Sequence, residues 1–174
     1  MRESEERLQY ILAASPAIIY SCKVDYSSNS KENLSPSFVS ENITDAMGYE
    51  TAECLSNPEW WSNYVHPEDA PRISVGLRRL FEQDHYTHEY RFRHKDGTYR
   101  WVHDKLKLVR DSEGNPRDAI GSWIDITERV QAEEAREQAE QELEEQKALS
   151  MRSDRLRSLG EMAAGIAHEL NQPL

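Results

Sequence analysis

The chain has 174 residues, enough for one ordinary domain and an appendage but not for two catalytic domains with separate cores. Charged residues make up 30%, hydrophobic residues 37%, and the mean hydropathy is -0.84, so the polarity must be unevenly spread if the Trp and Tyr residues are to bury a core. A formal charge of -11 without clustered Lys and Arg excludes a protein that coats nucleic acid, because such a surface must displace counterions with positive charge.

Residues 1–14 place Leu8, Ile11 and Leu12 at helical spacing and predict a short amphipathic lead-in helix. Ile18, Tyr20, Cys22 and Val24 then alternate with Ile19, Ser21 and Lys23, and Pro36 to Ile43 predicts a second strand paired with the first. Between Thr44 and Phe81, the candidate caps Thr44 and Thr51, the helix-ending Gly48 and three prolines predict short helices. The last of these places Ile73, Leu77 and Leu80 on one face.

Tyr86, His88, Tyr90, Phe92 and His94 share one face of a strand, and Asp96-Gly97 supplies the left-handed residue that a tight hairpin needs. The return strand runs from Tyr99 to Arg110. After the turn cluster at Asp111–Pro116, a last strand covers Ala119 to Ile126. From Thr127 to Gln172 there is no proline, and the composition becomes that of a long helix. Residues 128–147 hold eight Glu against Arg129, Arg136 and Lys147, a local charge of -5. A helix of about 45 residues would be roughly 68 Å long and needs a partner.

Two cysteines, Cys22 and Cys54, are too few for a disulfide framework and lack the spacing of a zinc or redox pair, so both are read as reduced and buried. No run approaches the roughly 18 apolar residues that span a bilayer, and the N-terminus is too charged for a signal peptide. The expectation is a soluble, cytoplasmic segment, with any membrane anchor lying elsewhere in a longer parent.

The order of two strands, helices and three strands, together with Val65-His-Pro-Glu-Asp69, Tyr90-Arg-Phe-Arg-His-Lys-Asp-Gly97, Arg100-Trp-Val102 and Trp123-Ile-Asp-Ile-Thr-Glu-Arg129, resembles a PAS sensor domain with its PAC segment. The tail from Leu156 to Leu174, with Ala167-His-Glu-Leu-Asn-Gln-Pro173 at its end, resembles the H-box of a sensor histidine kinase. The resemblance implies an α+β chain: a PAS fold with a five-stranded antiparallel sheet and short helices, followed by a long C-terminal coiled-coil helix. Its divisions are an N-terminal helix over 1–14, the PAS/PAC domain over 15–127, a signalling coiled-coil linker over 128–150, and the first part of the dimerisation and phosphoacceptor domain over 151–174. The function implied is the sensory and dimerisation portion of a two-component kinase; the alternative is a PAS interaction module with no phosphotransfer role.

Periodicity bears on the tail independently. Leu149, Leu156, Ala163 and Leu170 recur every seven residues, with Leu159 and Ile166 three after the second and third, which makes the seam of a parallel two-stranded coiled coil. Upstream, Ala132, Ala139 and Gln146 fit another phase, so the seam shifts between Leu143 and Leu149, an offset that would overwind the coil locally.

His168 lies outside that seam, where a nucleophile can reach solvent. The resemblance assigns it as the phosphoacceptor, with Glu169 orienting or deprotonating the ring. Gln172 occupies the place where many relatives carry Thr or Asn to align water for phosphatase action, a departure from the pattern. Pro173 should kink or end the helix just beyond. No phosphate-binding loop motif occurs, so ATP and magnesium belong to an ATP-binding domain of the parent, and this segment alone should be inactive. The partners implied are a second copy of the chain, that ATP-binding domain and a response regulator receiver domain, with no nucleic acid and no membrane.

No cofactor is expected in the PAS domain itself. Cys54 lacks the setting of the flavin-binding subclass, and the helix from Arg72 to Phe81 has no axial histidine for haem. His85, His88, His94 and His103 are read as surface histidines rather than metal ligands, and His66 as a turn cap. Trp60, Trp61, Tyr64, Tyr90 and Trp101 could line a small-molecule pocket, with a filled aromatic core the favoured reading. Asp125, Ile126 and Thr127 match the family's junction motif, and Asp125 and Glu128 have capping-box spacing at the start of the long helix.

Overall fold

Alternating side chains place five strands in one antiparallel sheet, ordered β2-β1-β5-β4-β3. The computed structural model describes residues 7, 10–12, 14–27 and 31–170, which divide between Glu128 and Arg129 into two compact units. Residues 7, 10–12 and 14 are helical; the rest of the expected 1–14 helix lies outside the described residues.

Strands β1 (Ile18–Ser27) and β2 (Lys31–Val39) pair as expected, but β2 starts before Pro36 and stops short of Ile43. Pro36 faces Cys22 next to a register shift on an edge strand, a place that tolerates a residue without an amide hydrogen. The strand ends because Ser40 and Asn42 turn the chain. The Ser40 hydroxyl accepts from Ile19 N at 2.8 Å and donates to Asn42 Oδ1, and Asn42 Nδ2 donates to the carbonyls of Ser15 and Ala17 at 2.9 Å each.

Four short helices follow: α1 (Ile43–Met47), α2 (Thr51–Ser56), α3 (Trp60–Tyr64) and α4 (Ala70–Gln83). Neither expected threonine cap is used. Thr44 lies inside α1 and donates to Tyr49 O, whereas Glu50, not Thr51, caps α2 through a reciprocal box with Glu53. Helix α4 is anchored by Asp69, whose carboxylate accepts from Arg91 N and from its guanidinium at 2.9 to 3.0 Å.

Strands β3 (His85–Arg93) and β4 (Tyr99–Arg110) form the long hairpin, with Gly97 at φ 92° where a side chain would be strained. β5 (Pro116–Asp125) then inserts between β1 and β4. The inward residues of the sheet meet the helices in two clusters, one around Met47, Trp60, Tyr90, Phe92 and Trp123, the other around Leu80, Leu106 and Leu108. The long helix α5 (Thr127–Leu170) is one unbroken element of 44 residues. Within it Leu149, Leu156, Leu159 and Ile166 are all more than half exposed in the single chain. No helix among the described residues is long and apolar enough to cross a membrane.

Candidate functional site

Strand phase builds a polar cluster inside the sensor unit. His88 on β3 pairs directly with Asp104 on β4, and Asp104 with Trp123 on β5. All three point inward and are buried. Asp104 Oδ2 lies 3.2 Å from His88 Nε2 and accepts from the Tyr90 hydroxyl at 3.1 Å, while Oδ1 accepts from the Tyr20 hydroxyl at 2.7 Å. The Tyr90 oxygen in turn accepts from the indoles of Trp61 at 2.8 Å and Trp123 at 2.6 Å. A carboxylate this deep survives because three polar side chains converge on it.

Tyr20 reaches Asp104 over a strand that lies between them. Its partner across β5 is Gly121, and a Cβ built there would stand 2.1 Å from Tyr20 Cζ. The missing side chain is therefore the channel through which the ring crosses. Burial, followed by the Asp104 charge, pushes the Tyr20 and Tyr90 hydroxyls well above the usual phenol range. The same two causes push the Cys22 thiol up to about 12, and burial raises Cys54 to about 11.

A cavity of about 500 Å³ opens against this cluster. Its walls include Leu34, Ile43, Leu77, Trp60 and Trp61, and Tyr20, His88 and Asp104 also line it. Among the aromatics expected to line a pocket, Trp60 and Trp61 do so. Tyr90 is fully buried and belongs to the supporting network, and Tyr64 packs on Tyr49, Trp60 and Phe92 under the Arg93 guanidinium. The aromatic residues thus form both a filled core and one wall of a cavity. His88 is not a surface histidine: its place on the Tyr90–Phe92 face of β3 buries it. His66 does serve as a turn cap, its carbonyl accepting from Asp69 N and its ring from Glu68 N.

Trp101 belongs instead to the start of α5. Its N–H donates to Thr127 Oγ1 at 2.9 Å and its carbonyl accepts from Ile126 N at 2.8 Å, while its ring lies under Arg91. Asp125 Oδ1 accepts from the backbone N and the hydroxyl of Thr127 at 2.8 and 2.5 Å. The bond reaches two residues ahead, not to Glu128 in the expected box. The side chains of His168 and Glu169, and all of Gln172, lie outside the described residues.

Asp104 was missed by sequence reasoning, although the signal was present: it interrupts an inward series of Val102, Leu106 and Leu108 on β4.

A five-stranded antiparallel sheet with short helices enclosing a cavity defines the PAS class of sensor modules. A family profile described as PAS fold matches residues 36–123, and the chain belongs to that family. It is similar to the two-component sensor PprA of Pseudomonas aeruginosa, 30% identical over 70% of this chain and 12% of the relative. It is also similar to sporulation kinase C of Bacillus subtilis, 26% identical over 87% of this chain and 33% of the relative. Among solved structures, a sensory box histidine kinase/response regulator from Burkholderia thailandensis superposes with a TM-score of 0.56 at 27% identity, covering 79% of this chain and 97% of that one. The chain spans only about a tenth to a third of the curated relatives it matches.

Proposed function

We propose that this chain is the sensory and dimerisation portion of a cytoplasmic two-component histidine kinase, in which the state of the PAS unit sets phosphorylation of His168. The observation that carries the reading is that one helix, α5, begins at the hydrogen-bonded junction of Asp125, Ile126 and Thr127 and includes position 168. Its sequence there resembles an H-box, and the relatives of the chain are sensor kinases.

In this reading two copies pair in parallel along Leu149, Leu156, Leu159, Ala163, Ile166 and Leu170, which removes an apolar stripe from water. ATP and magnesium are held by the ATP-binding domain of the same kinase. A ring nitrogen of His168 attacks the γ-phosphorus, the N–P bond forms as the bond to the β,γ-bridging oxygen breaks, and ADP leaves. Glu169 orients the ring or takes its other proton. The phosphoryl group then passes to an aspartate of a response regulator, and Gln172 stands where a phosphatase residue would act.

The test is to supply the chain with a matching ATP-binding domain and ATP. Acid-labile phosphate on the wild type that disappears in His168→Gln is the expected result; phosphate that survives this substitution would overturn the assignment.

A further inference from the structure

The cavity of the PAS unit carries a charge pattern that selects its occupant. Among the described lining residues the ionisable groups other than the thiols, tyrosine and His88 are Glu59 and Asp104, both carboxylates, and none is Lys or Arg. The walls are aromatic and aliphatic, with Trp60, Trp61, Phe81 and Leu77 among them. At about 500 Å³ the cavity is in the size range of small-molecule sites, roughly 300 to 1,000 Å³.

Asp104 has hydrogen-bonding capacity left. A carboxylate has about four lone-pair sites, and those taken by Tyr20, Tyr90 and His88 leave one, on Oδ1. Two further buried polar atoms on lining residues lack a hydrogen-bond partner among the described residues: Trp60 Nε1, which can only donate, and His88 Nδ1, which accepts when Nε2 carries the proton towards Asp104. An anionic guest would bring a second negative charge next to a buried carboxylate that no Lys or Arg among the described lining residues balances, in a medium where such repulsion is strong. An ammonium would meet a carboxylate and several aromatic faces, both favourable to it.

We infer that the cavity binds a small amphiphilic amine as its ammonium form, the apolar body among the tryptophans and the N–H group on Asp104 Oδ1, and that it rejects carboxylates and phosphates of the same shape. As the signal of the kinase, this ligand rests on the function proposed above. Binding to the cavity can be measured on the chain alone, so failure of one reading is distinguishable from failure of the other.

The experiment titrates the full 174-residue chain by calorimetry with three probes of one shape: tryptamine, tryptophol and indole-3-acetate. Tryptamine should bind at least tenfold more tightly than indole-3-acetate, with tryptophol between them. Asp104→Asn, which keeps the size of the side chain, should weaken tryptamine at least tenfold and narrow the gap to the acid. Leu77→Trp should fill the cavity and abolish binding of all three. Equal or tighter binding of the acid, no binding of tryptamine at millimolar concentration, or tryptamine affinity unchanged in either variant would each overturn the proposal. Should Asp104→Asn fail to fold, the wild-type ranking and Leu77→Trp still decide it.

Discussion

Tyr20 and Asp104 sit on strands that are not neighbours, yet their side chains are joined by a 2.7 Å hydrogen bond that crosses β5 above Gly121. The contact ties the first strand of the sheet to the hairpin that ends the sequence-distant half of the fold. It also places a buried carboxylate in the lining of the cavity.

Because the crossing depends on a missing side chain, Gly121→Ala should force the Tyr20 ring away. The expected loss is about 1–3 kcal/mol from overpacking, with the hydrogen bond to a charged acceptor, itself about 1.5–3 kcal/mol, weakened as well. Urea unfolding of the single variants and of Gly121→Ala combined with Tyr20→Ala checks this: the glycine substitution should cost far less once the ring is gone.

Cys54 is buried as expected whereas Cys22 is only half-buried, and both thiols predict an alkaline limb of stability. Cys22 and Cys54 are raised from 9.0 to about 12 and about 11, so the folded chain keeps protons that the unfolded chain releases above pH 9. Stability from these groups is complete below pH 9 and declines as pH rises towards those folded values. Thiolate absorbance near 240 nm should therefore be small in the native chain at pH 9.5 and appear on unfolding in urea at the same pH.

At the acid end, hydrogen bonds from the Thr98 hydroxyl and backbone hold Asp96 down at about 2, against an ordinary 3.8. Its contribution is present above pH 3.8 and lost as pH falls through about 2. Asp96→Asn should flatten that part of the stability profile between pH 4 and 2 and lower stability by a constant offset at higher pH, as read from thermal unfolding.

Much of this arrangement was legible from residue order. The alternation of Tyr90 and Phe92 with charged neighbours defines β3, Asp96-Gly97 its turn, and the heptads of the tail its helix. The same alternation already puts His88 on the inward face, and its burial follows from the strand once a cross-strand partner is known. That partner, Asp104, could be recognised as a polar residue in an apolar phase, but its pairing is a matter of register between two strands, which local pattern does not specify. The channel above Gly121 is less visible still, since a glycine in a strand has several readings until the crossing ring is seen.

Dimerisation through α5 predicts that replacing Leu156 and Leu159 together by Asp dissociates the chain, because two charges would enter an apolar seam. Truncation after Arg129 should leave a folded PAS unit with weak association at most. Sedimentation equilibrium of both variants checks the point, and a truncated unit as firmly dimeric as the whole chain would assign the assembly to the PAS surface instead.

The function proposed above requires the junction to pass the state of the PAS unit into the helix that includes position 168. Asp125→Ala removes the acceptor of the two Thr127 hydrogen bonds, at a local cost of about 1 kcal/mol. A bias of about 1.4 kcal/mol between two helix registers shifts their populations tenfold. The direct measurement is the rate at which acid-labile phosphate accumulates on His168 in the full-length kinase, with and without the signal, in wild type and Asp125→Ala. The account predicts an altered ratio between the two conditions with thermal stability of the isolated PAS unit nearly unchanged; an identical ratio in the variant would contradict it.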